Sequence, residues 1–182
     1  MRTSVLLLVF LAALARPLLS QQLSTPRTGP LIREFGPVFA TDPVDLATPT
    51  DHVYRVVFDV SQAPEDAGTL NARIESLARF LNMHAAAGVP AENLQLALVL
   101  HGGAAKAVLD NATYKARFGA DNADLPLLQA LHAHGVRVLV CGQTAANRGL
   151  AKKDFAPGME LALSAMTALV LLQEDGYQLI SF

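Results

Sequence analysis

The sequence predicts a three-layer α/β domain in which a mostly parallel sheet of four to five strands lies between helices. Two observations lead to this prediction. From about residue 51, short apolar segments rich in β-branched residues alternate with helical segments, most of them ten residues or longer. Connections of that length join parallel strands through right-handed crossovers. Glycines and prolines lie between these segments, as expected where strands and helices end.

The first half of the domain contains two strong strands. Residues 53–60 are rich in β-branched and aromatic side chains, and residues 94–100 form a nearly continuous apolar run. Such a run is typical of a strand that is buried on both faces. Between the two strands, a helix capped by Thr69 is expected to end at Gly88 and Pro90.

The second half continues the alternation. Its predicted elements are a helical stretch from Ala104 to about 109, a polar patch at 111–121, a helix at about 123–134, a strand at 136–140, a short helix at about 144–148, a helix at about 159–174 and a strand at 177–182. Together the elements predict a flavodoxin-like domain over residues 51–182. The last helix is apolar on nearly all sides, so it is expected to be buried all round and to favour a homo-oligomer. Cover by the segment before the domain is the alternative.

Two segments precede the domain. Residues 1–20 combine Arg2 with a short apolar run, which is typical of a secretory signal and too short to span a bilayer. Cleavage after Ser20, or after Ala15, would release a periplasmic or secreted protein without a membrane anchor. Residues 21–50 carry five prolines and show no periodicity, which predicts a linker or a strap laid over the domain.

Composition narrows the functions further. The net charge is -2 and the chain has no basic stripe, which argues against nucleic-acid binding. No cofactor motif is found, and His132 and His134 are two residues apart on a helix, which makes them a poor metal pair. Cys141 is the only cysteine and has no partner for an internal disulfide. It is either a reactive thiol or an inert, buried small residue.

The expected site lies at the carboxyl ends of two strands, where ligands bind in open parallel sheets. If these strands are neighbours, His101 and Cys141 share one edge, with His101 as a cation or base. A thiol at a helix start is expected to favour the thiolate. Gly102 and Gly103 offer backbone amides for an anion, although a tight turn would also explain them. Arg148 and Gln143 are the other predicted ligand-binding residues, and Arg148 could hold an anion.

The segment Cys141-Gly-Gln-Thr-Ala-Ala-Asn-Arg-Gly149, with Pro157-Gly158 and residues 163–169 after it, resembles the DsrE/DsrF-like family. The resemblance extends to residues 56–60 and 99–102, and so spans about residue 52 to the end. The leader and the proline-rich segment resemble the exported branch of that family.

The resemblance implies a flavodoxin-like fold that assembles into trimers or hexamers. It also implies that Cys141 carries sulfur as a persulfide between a donor and an acceptor, which would be proteins or small sulfur anions. The protein would then be a sulfurtransferase or a sulfur carrier without a cofactor. A non-catalytic oligomeric module that binds an anion or a small ligand is the alternative function.

Overall fold

The computed structural model of the protein describes residues 25–41 and 43–182, so the predicted signal lies outside the described residues. The strands are β1 Tyr54–Val60, β2 Leu94–Leu100, β3 Arg137–Cys141, β4 Met159–Ala162 and β5 Gln178–Ser181. They form one all-parallel sheet in the order β4-β3-β2-β1-β5. The helices are α1 Ala72–Ala86, α2 Asn111–Phe118, α3 Leu125–Ala133, α4 Gly142–Arg148 and α5 Ala165–Glu174, and Ala104–Val108 is a 3₁₀ turn. The predicted fold class is confirmed, with five strands.

The two faces of the sheet bury different clusters, because successive residues of a strand point to opposite sides. One face, with Phe58, Leu98 and Val140, packs against α1 and α3. The other face packs against α5 through a smaller cluster, whose buried members are Val57, Ala97, Val99, Leu139, Cys141, Ala165, Ala168 and Leu172. The thiol therefore lies on the α5 side of the sheet.

The proline-rich segment lies against α1, on the side of the sheet opposite α5. Ile32 is buried in the main core, and the amide of Asn82 holds the segment in place. Its oxygen accepts hydrogen bonds from the amides of Leu31 and Ile32, and its nitrogen donates to carbonyls of Ile32, Phe35 and Gly36. The alternative that this segment covers the last helix is therefore wrong for its described residues.

The expectation that the last helix is buried all round is also wrong within one chain. Ala168 and Leu172 are buried, but Met166 is 75 % exposed, and Val170 and Leu171 are exposed as well. The sheet covers one side of α5 only. The outer side remains an apolar surface that no described residue of the same chain covers.

Three sequence-based boundaries differ from the structure. Residues 159–162 are not helical but pair with β3 as strand β4, and α5 begins after Ser164, whose hydroxyl accepts from the amide of Thr167. The cap of α1 is Asn71 and not Thr69, because the Asn71 side chain accepts from the amide of Arg73. The polar patch at 111–121 contains α2, which Asp110 caps and Gly119 ends.

A buried carboxyl group joins the starts of two helices. Asp124 lies at the N-terminus of α3 and accepts a hydrogen bond of 2.7 Å from the amide of Asn71. Burial raises the pKa of Asp124 to about 6, although the Asn71 amide and the charge of Lys106 act in the opposite direction. The folded protein therefore holds this proton more tightly than the unfolded chain does.

This pKa predicts how stability depends on pH. The contribution of Asp124 to the free energy of unfolding is fully present below about pH 4 and is lost as the pH rises through 6, a fall of about 3 kcal/mol for a shift of about two units. Asp124→Asn keeps an acceptor for Asn71 but cannot titrate. Urea unfolding between pH 4 and 7 should therefore show the variant gaining about 2–3 kcal/mol relative to wild type. Parallel pH profiles would contradict the prediction.

Candidate functional site

The sheet order makes β2 and β3 neighbours, so the two expected site segments meet at one edge. Leu100 pairs with Val140, and the ladder of the sheet continues beyond β2 because the amide of His101 donates to the carbonyl of Val60 at 3.1 Å. His101 and Cys141, which directly follow this pair in the sequence, therefore lie side by side at the carboxyl edge of the sheet. The sequence left this adjacency open, and the structure establishes it.

Cys141 is the last residue of β3 and also the cap of α4. Its Sγ accepts a hydrogen bond from the amide of Thr144 at 3.4 Å. The residue is only 6 % exposed and packs in the cluster beneath α5. The thiol is therefore a buried capping group at the rim of an apolar layer.

Burial and hydrogen bonding act on this thiol in opposite directions. Burial alone would raise the pKa of Cys141, because it penalises the charged thiolate. The amide of Thr144 donates to the sulfur, and the Thr144 side chain and the amides of Ala165 and Gln143 act in the same direction, so that the pKa of Cys141 lies below its ordinary value. The site therefore favours the nucleophilic thiolate, as the sequence predicts for a thiol at a helix start.

Two helix starts approach the same sulfur. Gln143 and Thr144 belong to the first turn of α4, whereas Ala165 is the first residue of α5. Gly142 permits this approach, since a Cβ at that position would lie 2.5 Å from the carbonyl oxygen of Ala162. Any larger residue there would push the turn between β4 and α5 away from the thiol.

Thr144 is the functional residue that sequence reasoning missed. Its hydroxyl oxygen accepts from the amide of Gly102 at 3.3 Å, so its one hydroxyl proton is free to point towards Cys141. Thr144 thus ties the turn after β2 to the thiol at the end of β3. A signal was present, because a hydroxyl residue three positions after the capping Cys141 is well placed to reach the cap.

His101 does not pair with the thiol. Its Nε2 lies 2.9 Å from Oδ1 of Asp59, which is on β1, the strand on the other side of β2. The groups that lower the pKa of Cys141 do not include His101. The expected role of His101 as the cation or base that forms the thiolate is therefore not supported by the geometry.

The Gly102-Gly103 pair is a tight turn rather than an open cradle for an anion. The amide of Gly102 donates to Thr144, and the amide of Ala104 donates to the carbonyl of Ser61. Gly102 has φ +52°, and a Cβ there would lie 2.7 Å from the oxygen of Ser61. These glycines let the turn pack closely, and the amides of Gly102 and of the following Ala104 are used within the chain.

The remaining predicted ligand-binding residues lie apart from the sulfur. Arg148 is exposed at the carboxyl end of α4, six residues beyond the position of Gly142 and about 9 Å further along the helix axis. The side chain of Gln143 is exposed and donates a long bond of 3.5 Å to the carbonyl of Leu163. The structure therefore does not bring the Arg148 guanidinium to Cys141, and only the backbone of Gln143 contributes there.

Two classes of site find no support in residues 25–41 and 43–182. No group of three or more His, Cys, Asp or Glu side chains in these ranges is arranged to hold a metal ion. None of the helices described there is long and apolar enough to cross a membrane.

Comparisons with known proteins agree with the fold. The DsrE/DsrF-like family model matches residues 54–182. A protein of unknown function from Methanobacterium thermoautotrophicum, MTH1491, is 20 % identical with a TM-score of 0.51, and the ychN protein from E. coli is 21 % identical with a TM-score of 0.52. Each alignment covers 71 % of this chain and 99 % of the other chain. Comparison with curated proteins finds no match.

The geometry predicts that Thr144→Val raises the pKa of Cys141. Valine keeps the branched shape and the amide but removes the hydroxyl donor, which weakens the stabilisation of the thiolate. Alkylation by iodoacetamide at pH 6.5 should slow several-fold relative to wild type. Asn147→Ala, an exposed position on the same helix, is the control and should leave the rate unchanged. Equal rates for wild type and Thr144→Val would show that the hydroxyl does not act on the sulfur.

Proposed function

The chain belongs to the DsrE/DsrF-like family, and we propose that it handles sulfur by carrying it as a persulfide on Cys141. The observation that supports this proposal is the convergence of amides from α4 and α5 on Sγ, which lowers the pKa of the thiol. A thiolate is the form that attacks sulfane sulfur. Family membership suggests function of the sulfur-relay type, and the chemistry of this edge is compatible with it.

The proposed cycle has two transfers. The Cys141 thiolate takes the outer sulfur of a persulfide donor, and a thiolate of the acceptor then takes that sulfur from Cys141. The donor and the acceptor are proteins or small sulfur anions. The protein is a sulfurtransferase if it turns over between the two, and a carrier if it only delivers a bound sulfur.

A non-catalytic binding module is the second candidate. It is favoured by the low exposure of Cys141, since a thiol that is 6 % exposed can also be a packed capping residue. The geometry weakens this alternative at one point, because the amides of Gly102 and Ala104 are already bonded within the chain. A binding module would have to rely on other groups at this edge.

Mass spectrometry distinguishes the two candidates. Intact protein incubated with a sulfane-sulfur donor such as glutathione persulfide should gain one sulfur atom, and peptide mapping should locate it on Cys141. Cys141→Ser should fold as the wild type does and should not gain sulfur. Thr113→Ser, a conservative change on α2, is the control and should gain sulfur as the wild type does. An unmodified wild-type thiol would favour the binding module.

We also propose that the exposed side of α5 forms a homo-oligomer. Leu163 and Met166 are among the most exposed large apolar residues, and a groove of about 260 Å³ runs beside α5 with Leu139 and Thr167 in its lining. A large apolar surface of this kind is typical of an interface between protein chains. The α1 side is already covered by the proline-rich segment, which leaves α5 for assembly. The family resemblance favours a trimer or a hexamer.

Charge at this surface should break the assembly. In Val170→Lys, an ammonium group would be buried without a partner, which costs several kcal/mol. Light scattering should then show a smaller species than wild type. Leu46→Lys, at an 88 % exposed position in the proline-rich segment, should assemble normally. A monomeric wild type would remove the basis for this interface.

We also propose that the protein is exported from the cytoplasm. The leader at residues 1–20 would direct the protein to the periplasm or the exterior, where it acts without a membrane anchor. Sequencing the N-terminus of the native protein should give a start near Gln21. An intact Met1 on the native protein would contradict export through a cleaved signal.

A further inference from the structure

A second pair of titratable side chains lies beside the thiol and has no part in forming the thiolate. His101 and Asp59 are hydrogen-bonded at 2.9 Å, and their side chains are 31 % and 21 % exposed. The sulfur of Cys141 already has its donors in the first turns of α4 and α5. The imidazole is therefore available for another step of the chemistry.

The strand register places this pair on the same face as the thiol. Val57, Val99 and Leu139 all belong to the cluster beneath α5. Because side chains alternate along a strand and the ladder continues through His101, the side chains of Asp59, His101 and Cys141, each two residues further on, emerge on that face too. Asp59 is the penultimate residue of β1, His101 directly follows β2 and Cys141 is the last residue of β3, and neighbouring strands of this sheet are about 4.8 Å apart. A donor molecule whose sulfur lies above Cys141 would extend over the position of His101.

The hydrogen bond to Asp59 also fixes how the ring can act. Asp59 accepts the proton of Nε2, so Nδ1 is the nitrogen left to exchange a proton. The hydrogen bond to the carboxylate also limits the rotation of the ring. A ring that is partly buried and held at one nitrogen is well suited to proton transfer at the other.

We propose that His101 is the general acid that protonates the leaving sulfur when Cys141 takes sulfur from a donor, and that Asp59 is the residue that positions it. This inference rests on the proposed function and assigns a role in it to the carboxylate of Asp59, through its hydrogen bond with His101. It also replaces the earlier expectation that His101 assists the thiolate. The leaving group it serves is an alkyl thiolate, a strong base that benefits from a proton.

The step is balanced without an added oxidant or reductant. The Cys141 thiolate attacks the outer sulfur of a donor R–S–SH, and the new Sγ–S bond forms as the S–S bond of the donor breaks. The electron pair of that bond leaves with R–S, which takes the proton from Nδ1 of the His101 imidazolium. The products are Cys141–S–SH, R–SH and a neutral imidazole, which regains a proton from solvent.

Two small reagents can distinguish a general-acid role of His101 from a structural role. Methyl methanethiosulfonate and dimethyl disulfide both place a methylthio group on Cys141, but the first releases a sulfinate that needs no proton and the second releases methanethiolate. His101→Gln keeps a donor for Asp59 but cannot act as an acid. Intact-mass kinetics at pH 7 should show the reaction with dimethyl disulfide slowed about ten-fold or more, and the reaction with the thiosulfonate changed less than about two-fold. His134→Gln, an exposed histidine at the end of α3, is the matched control.

Each outcome bears on the proposal. Selective slowing with dimethyl disulfide supports it, and Asp59→Asn should then slow the same reaction by a smaller factor. Equal slowing with both reagents would make His101 a structural residue, and no slowing would also overturn the acid role. Wild-type behaviour of Asp59→Asn would refute the positioning role of Asp59. If glutathione persulfide fails to add sulfur to wild type while the thiosulfonate still reacts, the proposed function fails separately from the role of His101.

Discussion

The parallel pairing of β3 with both of its neighbours is the constraint on which the site depends. Pairing with β2 brings the turn after residue 100 beside the thiol, and pairing with β4 brings the start of α5 over it. In a parallel sheet all the carboxyl ends lie at one edge, so the residues that follow each strand meet there. The site is therefore a consequence of strand direction, and no single loop contains it.

In this arrangement, two opposing effects act on the pKa of Cys141. The apolar layer beneath α5 disfavours a charge on Cys141, whereas the donors from two helix starts favour it. The donors prevail because several of them act together, with Thr144 contributing both its side chain and its amide. The same burial that disfavours the thiolate also keeps bulk water away from the sulfur.

The two sides of the sheet have different partners. The proline-rich segment covers α1 through the buried amide of Asn82, which satisfies backbone groups of the segment that would otherwise be buried without hydrogen bonds. The outer side of α5 has no such cover among the described residues. Cys141 packs in the cluster beneath α5, so an assembly formed on the open side of α5 would adjoin the edge of the sheet that holds Cys141.

The sequence by itself determined the fold class, because short apolar segments such as 94–100 and 136–140 alternate with helical segments long enough to cross over between parallel strands. It also determined Cys141 as the reactive candidate, since a lone cysteine between a strand and a helix start has an evident chemistry. The short strand β4 could not be predicted, because its four residues are strand only through their pairing with β3. The pairing of His101 with Asp59, the contact between Gly102 and Thr144, and the exposed side of α5 were decided by tertiary structure alone. The first two contacts join residues that are more than 40 positions apart in the sequence. The exposure of α5 depends on which side of the sheet the proline-rich segment covers. Local periodicity encodes neither kind of information.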